Sequence, residues 1–156
     1  MRRRDKEITD RALMESVIRR ARVCRLAICD RGRPYVVPMC FGYRDGALYF
    51  HGAKEGMKVD ILRRNNNVCV EFDVDTELVT GDEAAKFTMK YRSVIAFGKA
   101  VFIEDLAAKR EALDILMSQY SEGSFEYPEP AVRNVGIFRV DVESMTGKQS
   151  GHPTET

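Results

Sequence analysis

The sequence predicts a mainly β fold, a small antiparallel barrel with helices at its periphery, and three observations predict it. Five or six stretches carry the alternating apolar pattern of strands, most of their connections are hairpin-length, and only three helical patterns occur, all short. A parallel α/β sheet would instead need a crossover between each pair of strands. The chain has 156 residues, 44% of them hydrophobic, enough for one domain with its own core. A single domain over 1–156 is expected, with flexible tails over about 1–7 and 149–156.

Thr9 stands where it can cap the first helix, and Ile8 and Leu13 are spaced for a hydrophobic staple. Leu13, Val17, Ile18 and Ala21 then recur at helical spacing and make one apolar face. From Val23 the period becomes two, with Cys24, Leu26 and Ile28 on one side, until Asp30-Arg31-Gly32-Arg33-Pro34 turns the chain. Tyr35 to Tyr43 is the next strand, and Asp45-Gly46 favours a tight hairpin pairing it with Ala47 to His51. Pro38 inside that strand cannot donate to a ladder, which argues for an edge, a bulge or an approaching ligand.

Met57 to Arg64 reads as a short helix behind Gly56, closed by Asn65-Asn66-Asn67, and Val68, Val70 and Phe72 alternate as another strand. The acidic stretch Asp73 to Lys86 reads as a surface loop. Phe87 to Ile103 reads as one long strand that Gly98 lets bend around a barrel. Asp105 is placed to cap a helix with Leu106, Leu113, Leu116, Met117 and Tyr120 on one side, ended by Gly123. Tyr127-Pro128-Glu129-Pro130 is a stiff connector to a last strand, Val135 to Val142, with Phe138, Val140 and Val142 on one face.

Composition excludes several classes of function. Lys plus Arg number 25 against 24 Asp plus Glu, so no global field draws the chain to nucleic acid or an anionic membrane. The basic start Met1-Arg2-Arg3-Arg4 is followed by Asp5, Lys6 and Glu7, not by the apolar run of a secretion signal, and no stretch approaches the roughly 20 apolar residues of a membrane span. A cytoplasmic location is expected. Cys24, Cys29, Cys40 and Cys69 form no CxxC pair and read as reduced core residues, and two histidines, His51 and His152, leave no ligand set for zinc.

Two stretches can carry chemistry. From Leu48 through Lys58 a strand passes by a glycine-bearing turn into a helix start, where free N–H groups and Lys58 make a cradle for an anion. The same residues are compatible with a plain turn carrying solvated lysines, and His51 with a hydrogen-bonded strand end. In Tyr91-Arg92-Ser93-Val94-Ile95 a cation and a hydroxyl stand on a strand built for burial, so both need partners; a carboxylate for Arg92 and solvent for Ser93 would serve as well as a ligand.

The order of Arg33-Pro34-Tyr35-Val36-Val37-Pro38, Leu48-Tyr49-Phe50-His51-Gly52, Gly56-Met57-Lys58-Val59-Asp60, Tyr91 through Gly98 and Met145-Thr146-Gly147-Lys148 resembles the pyridoxamine 5'-phosphate oxidase-like flavoproteins, in particular their nitroimidazole-resistance branch. The resemblance runs from about Arg3 to Lys148. It implies a split β-barrel homodimer with FMN at the subunit interface. By that resemblance Val36, Val37, Pro38 and Met39 run along the flavin ring, His51 and Gly52 face the ribityl and phosphate, and Lys58 binds the phosphate. Arg92, Ser93 and Val94 match the strand that reaches the flavin from the other subunit.

The implied function is an FMN-dependent oxidoreductase taking a hydride from NAD(P)H and reducing a small acceptor such as a nitroaromatic, with His51 as a catalytic candidate. A flavin-binding redox sensor or buffer without turnover, and a split barrel holding haem or the deazaflavin F420, are the alternatives. The chain shows no counterpart of the arginine-rich C-terminal motif that holds pyridoxal phosphate in the oxidase, carrying Gly147-Lys148-Gln149-Ser150-Gly151-His152 in that region instead. Vitamin B6 oxidation is therefore not implied. Thr80 to Lys86 also lacks the Cys and Trp often found before the Tyr-Arg-Ser strand in the nitroimidazole branch.

Overall fold

The computed structural model of the chain describes residues 3–152. Strands β1 (Glu7–Ile8), β2 (Cys24–Asp30), β3 (Arg33–Met39), β4 (Gly42–Arg44), β5 (Ala47–Gly52), β6 (Asn67–Val79), β7 (Thr88–Ile103) and β8 (Gly136–Ser150) form one antiparallel sheet. Its order is β3-β2-β6-β7-β8-β5-β4, with β1 added to β8. The end strands β3 and β4 are consecutive in the chain yet share no ladder, so the sheet curls until its ends are neighbours without closing. This is the split barrel. Helices α1 (Arg11–Arg20), α2 (Met57–Arg64), α3 (Leu106–Ser118) and α4 (Glu129–Asn134) lie around it, and none of them is long and apolar enough to cross a membrane.

Strand alternation fills the barrel. Cys24, Leu26 and Ile28 of β2, Val68, Val70 and Phe72 of β6, and Val94, Ala96 and Ala100 of β7 all point inward. Phe41 meets Phe72 edge-on at 4.9 Å between ring centroids, and Phe50 stacks on Phe138 at 4.8 Å. Met14, Val17 and Ile18 bring α1 into the same core. The bend of β7 falls at Gly98, where the register with β8 slips between Phe97 and Gly98. A Cβ there would stand 2.2 Å from the Asp141 carbonyl oxygen, so glycine is required for the approach of β8.

Several expectations need correction. The α1 cap is Asp10, whose carboxylate accepts from Ala12 N at 2.8 Å, because Thr9 follows directly on the short pairing of β1 with β8. Tyr35 to Tyr43 is two strands: the Phe41 amide donates to the Tyr120 hydroxyl at 3.0 Å, which breaks the ladder, so β3 pairs with β2 and only Gly42–Arg44 pairs with β5. The Asp45-Gly46 hairpin holds, with φ of 51° and 77°.

Asp73 to Val79 is no loop but the outer end of β6, laced to β7 by cross-strand ion pairs of Lys90 with Glu77 and Arg92 with Asp75. The proline connector contains α4, with Pro130 in its first turn where no N–H is needed. On α3 the buried face is Lys109, Ala112, Ile115 and Leu116, while Leu113 and Met117 are half-buried. Of the cysteines, Cys24 alone is buried, its thiol pushed up to about 12 by burial, and Cys40 is exposed. The tails are shorter than expected: Glu7 and Ile8 pair with Lys148 and Gly147, and Lys6 Nζ donates to Ser150 Oγ at 2.8 Å. Residues 1–2 and 153–156 of those tails lie outside the described residues.

Candidate functional site

The strand β5 ends at Gly52 and α2 begins at Met57, after a turn in which Gly56 takes φ 115°, a region that favours glycine. Val59, Ile61 and Leu62 bury one face of α2, which fixes its first turn over the end of β5. There Lys58 Nζ lies 3.1 Å from Met39 Sδ and close above Gly52, where a Cβ would stand 3.3 Å from it. A cavity of about 300 Å³ opens at this junction, walled by Phe102 and Ile103 at the end of β7 and by Gly136 to Phe138 at the start of β8.

Four cations line the cavity, Lys54, Lys58, Arg63 and Lys109, against two carboxylates, Glu55 and Glu104. None of the four makes an ion pair among the described residues, whereas Arg11, Arg20, Arg25, Arg44, Arg64 and Arg92 all do. Burial lowers the Lys58 pKa, since an ammonium leaving water without a counter-charge is disfavoured. Lys109, only 2% exposed, donates to the Val135 carbonyl at 2.8 Å and to that of Val132 at 3.5 Å, at the end of α4. The Arg63 guanidinium lies 5.7 Å from the Phe102 ring centroid. With the free N–H groups of the α2 start, the cavity is built for an anion such as a phosphate.

The strand β3 runs along one edge of the sheet, as Pro38 predicts. Pro34, Val36 and Pro38 share one parity, facing Cys29, Ala27 and Arg25 of β2. Proline has no N–H, so the hydrogen-bonded pairs with β2 fall on the other parity, at Tyr35 and Val37. The outward backbone therefore offers one N–H, at Val36, among three carbonyls. Met39 turns inward and reaches Lys58, which places this edge beside the cavity. The chain thus brings Met39, Gly52 and Lys58 together, with Val36, Val37 and Pro38 leading to them.

The other expected site residues lie apart in one chain. His51 alternates away from Phe50 and lines a separate recess with Cys40, Leu113, Leu116, Met117, Tyr120 and Tyr127, so it does not share the cavity with Lys58. Arg92 pairs with Asp75 at 2.9 Å and donates to Gln149 Oε1 at 3.2 Å. Val94 is wholly buried in the core, so its side chain is not free to meet a cofactor. Ser93 alone of the three faces outward, two residues from exposed Ile95. Lys54, Arg63 and Lys109 were not expected at the site. A signal for Lys109 exists: it sits three residues before Ala112 and seven before Leu116, a cation in the buried stripe of its helix.

Comparison with known proteins places this geometry in a family. The family model described as pyridoxamine 5'-phosphate oxidase matches residues 10–149. A crystal structure of a candidate 5-nitroimidazole antibiotic resistance protein from Bacteroides thetaiotaomicron is 44% identical, with a TM-score of 0.83 over 92% of this chain and 86% of that one. An FAD-binding protein from Mesorhizobium loti is 25% identical with a TM-score of 0.66, over 91% of this chain and 96% of that one. A flavocytochrome from Azotobacter vinelandii, 19% identical, shares the fold with a TM-score of 0.85 over 100% of this chain and 74% of that one. No curated protein matches the sequence. With an antiparallel split barrel, a match spanning most of its length and a relative at 44% identity, the chain belongs to the pyridoxamine 5'-phosphate oxidase family.

Proposed function

We propose that this protein is an FMN-dependent oxidoreductase of the cytoplasm, passing electrons from NADH or NADPH to a small acceptor such as a nitroaromatic. The observation that carries the reading is the cavity at Lys58, which is lined by four cations that make no ion pair among the described residues. Lys58 and the turn amides hold the phosphate, and Arg63 and Lys109 keep the field positive. The outward edge of β3 meets the polar edge of the ring through the Val36 N–H, with Val37, Pro38 and Met39 beside it. FMN, when bound, supplies the hydride chemistry; the protein binds, orients and tunes it. The nitroaromatic acceptor is supported by the 44% identity to the candidate nitroimidazole-resistance protein.

A second copy of the chain completes the site in this reading. Ile95, Phe97 and Val101 are 37%, 48% and 46% exposed on the outer face of β7, and Val36 is 56% exposed on β3. Phe97, Cys69, Ala27 and Val36 stand in one row across β7, β6, β2 and β3, so the apolar patch is continuous with the flavin edge. Covering it would bring Ser93 of one copy towards the flavin of the other.

The test is spectroscopic. The purified protein, reconstituted with FMN, is expected to be yellow and to bleach on anaerobic titration with NADH or NADPH, recovering on addition of a nitroaromatic. A colourless protein that FMN neither colours nor stabilises thermally would sink the reading, and bound flavin that no nicotinamide bleaches would make it a binding module without turnover.

A further inference from the structure

The cavity at the start of α2 is larger and more cationic than one phosphate group requires. Its volume of about 300 Å³ is roughly that of ten molecules of liquid water at ~30 Å³ each, whereas a phosphate is a central atom and four oxygens. Lys58, above Gly52 and beside Met39, marks one side of the cavity. The floor then runs across three strands in the order β5, β8, β7. Gly52 at the end of β5 pairs with Gly136 at the start of β8, and the carbonyl that receives Lys109 belongs to Val135, the residue before Gly136. Arg63 lies against the ring of Phe102 on β7, so its guanidinium stands on the side away from Gly52. The cations are therefore spread over the cavity and not gathered at the helix start.

Lys109 is the most buried of the four, at 2% exposure. Taking an ammonium out of water without a counter-charge is costly, and neutral carbonyls offset only part of that cost. An ammonium has three donors. Lys109 gives one to the Val135 carbonyl at 2.8 Å and a long one to that of Val132 at 3.5 Å. At least one N–H is left for whatever enters the cavity that this side chain lines.

We propose that Lys109 and Arg63 form a second phosphate pole, and that the cavity takes a diphosphate group, with Lys58 and the α2 amides on one phosphorus and Lys109 and Arg63 on the next. A diphosphate diester carries one negative charge on each phosphorus, which matches one ammonium at each pole. Phe102 and Ile103 wall the cavity beyond the second pole and suit the nucleoside that follows it. The inference rests on the flavin reading above and widens it. FMN fills the first pole alone, and flavin adenine dinucleotide, with the same ring and the same chemistry, fills both. A nucleoside diphosphate such as ADP is the other source of the group.

The experiment measures Kd for FMN and FAD by equilibrium dialysis in the wild type, Lys109→Met and Arg63→Gln, and compares Tm in pyrophosphate and in inorganic phosphate at equal ionic strength. The wild type is expected to bind FAD about tenfold tighter than FMN. Lys109→Met is expected to weaken FAD about tenfold and FMN less than about threefold. Arg63→Gln changes an exposed residue and leaves folding intact, so it decides if Lys109→Met does not fold; it is expected to narrow the gap about threefold. FAD bound no tighter than FMN, or a gap that survives in both variants, would overturn the second pole and leave the flavin reading standing. If neither flavin binds while pyrophosphate raises Tm more than phosphate does in the wild type and not in Lys109→Met, the flavin reading falls alone, and ADP tested in the same way identifies the source. A protein indifferent to both flavins and to pyrophosphate sinks both.

Discussion

Lys58 enters the fold as a half-buried cation whose recorded partner is a thioether. A phosphate would supply the counter-charge that its surroundings lack, so Lys58→Ala is expected to remove about 1.5–3 kcal/mol of FMN binding, roughly tenfold to a hundredfold in Kd by fluorescence titration. The pH dependence has a definite sign. Burial lowers the Lys58 pKa in the free protein, and a bound dianion would raise it again. Affinity is therefore full while the pH stays below the lowered pKa and falls as the pH rises through it. Equilibrium dialysis at increasing alkaline pH should show that fall, and Lys58→Ala should flatten it. Lys58 is legible in the sequence because it follows a glycine turn at a helix start. For Lys109 the sequence shows its burial but not its partners, because the carbonyls that receive its ammonium come from Val132 and Val135, on a segment whose prolines disguise a helical turn.

Among the elements, β7 shows both what local pattern reveals and what it hides. Its length and its bend at Gly98 are legible, since β-branched and aromatic residues recur on both sides of a single glycine. Gly98→Ala would force a methyl group into the Asp141 carbonyl, and a loss of about 1–3 kcal/mol or more is expected, read as a midpoint shift in urea unfolding at constant slope. The division of β7 between two faces is harder to read, because Val94 and Ala96 point into the barrel and Ile95 and Phe97 point out, so both parities look like core. The split of Tyr35 to Tyr43 into β3 and β4 escapes sequence reasoning for another reason. What ends the ladder is the Tyr120 hydroxyl on the Phe41 amide, a contact between residues 79 apart.

For the whole molecule, the proposed second copy would rest on the outer face of β7. Phe97→Asp places a charge in the middle of the apolar patch, and we expect it to leave the protein monomeric by light scattering and to weaken FMN binding, although Phe97 lines neither the cavity nor the recess. A monomeric variant with unaltered FMN affinity would separate the patch from the cofactor. The two prolines of β3 have an effect that reaches past ligand binding. Of the three outward positions on this edge, Pro34 and Pro38 can donate nothing, so a strand from another molecule laid along it would find a single N–H and could not build a ladder. The edge that a split barrel must leave open is thus closed to intermolecular β-pairing, and replacing both prolines by residues with an N–H would turn a guarded border into a template for aggregation.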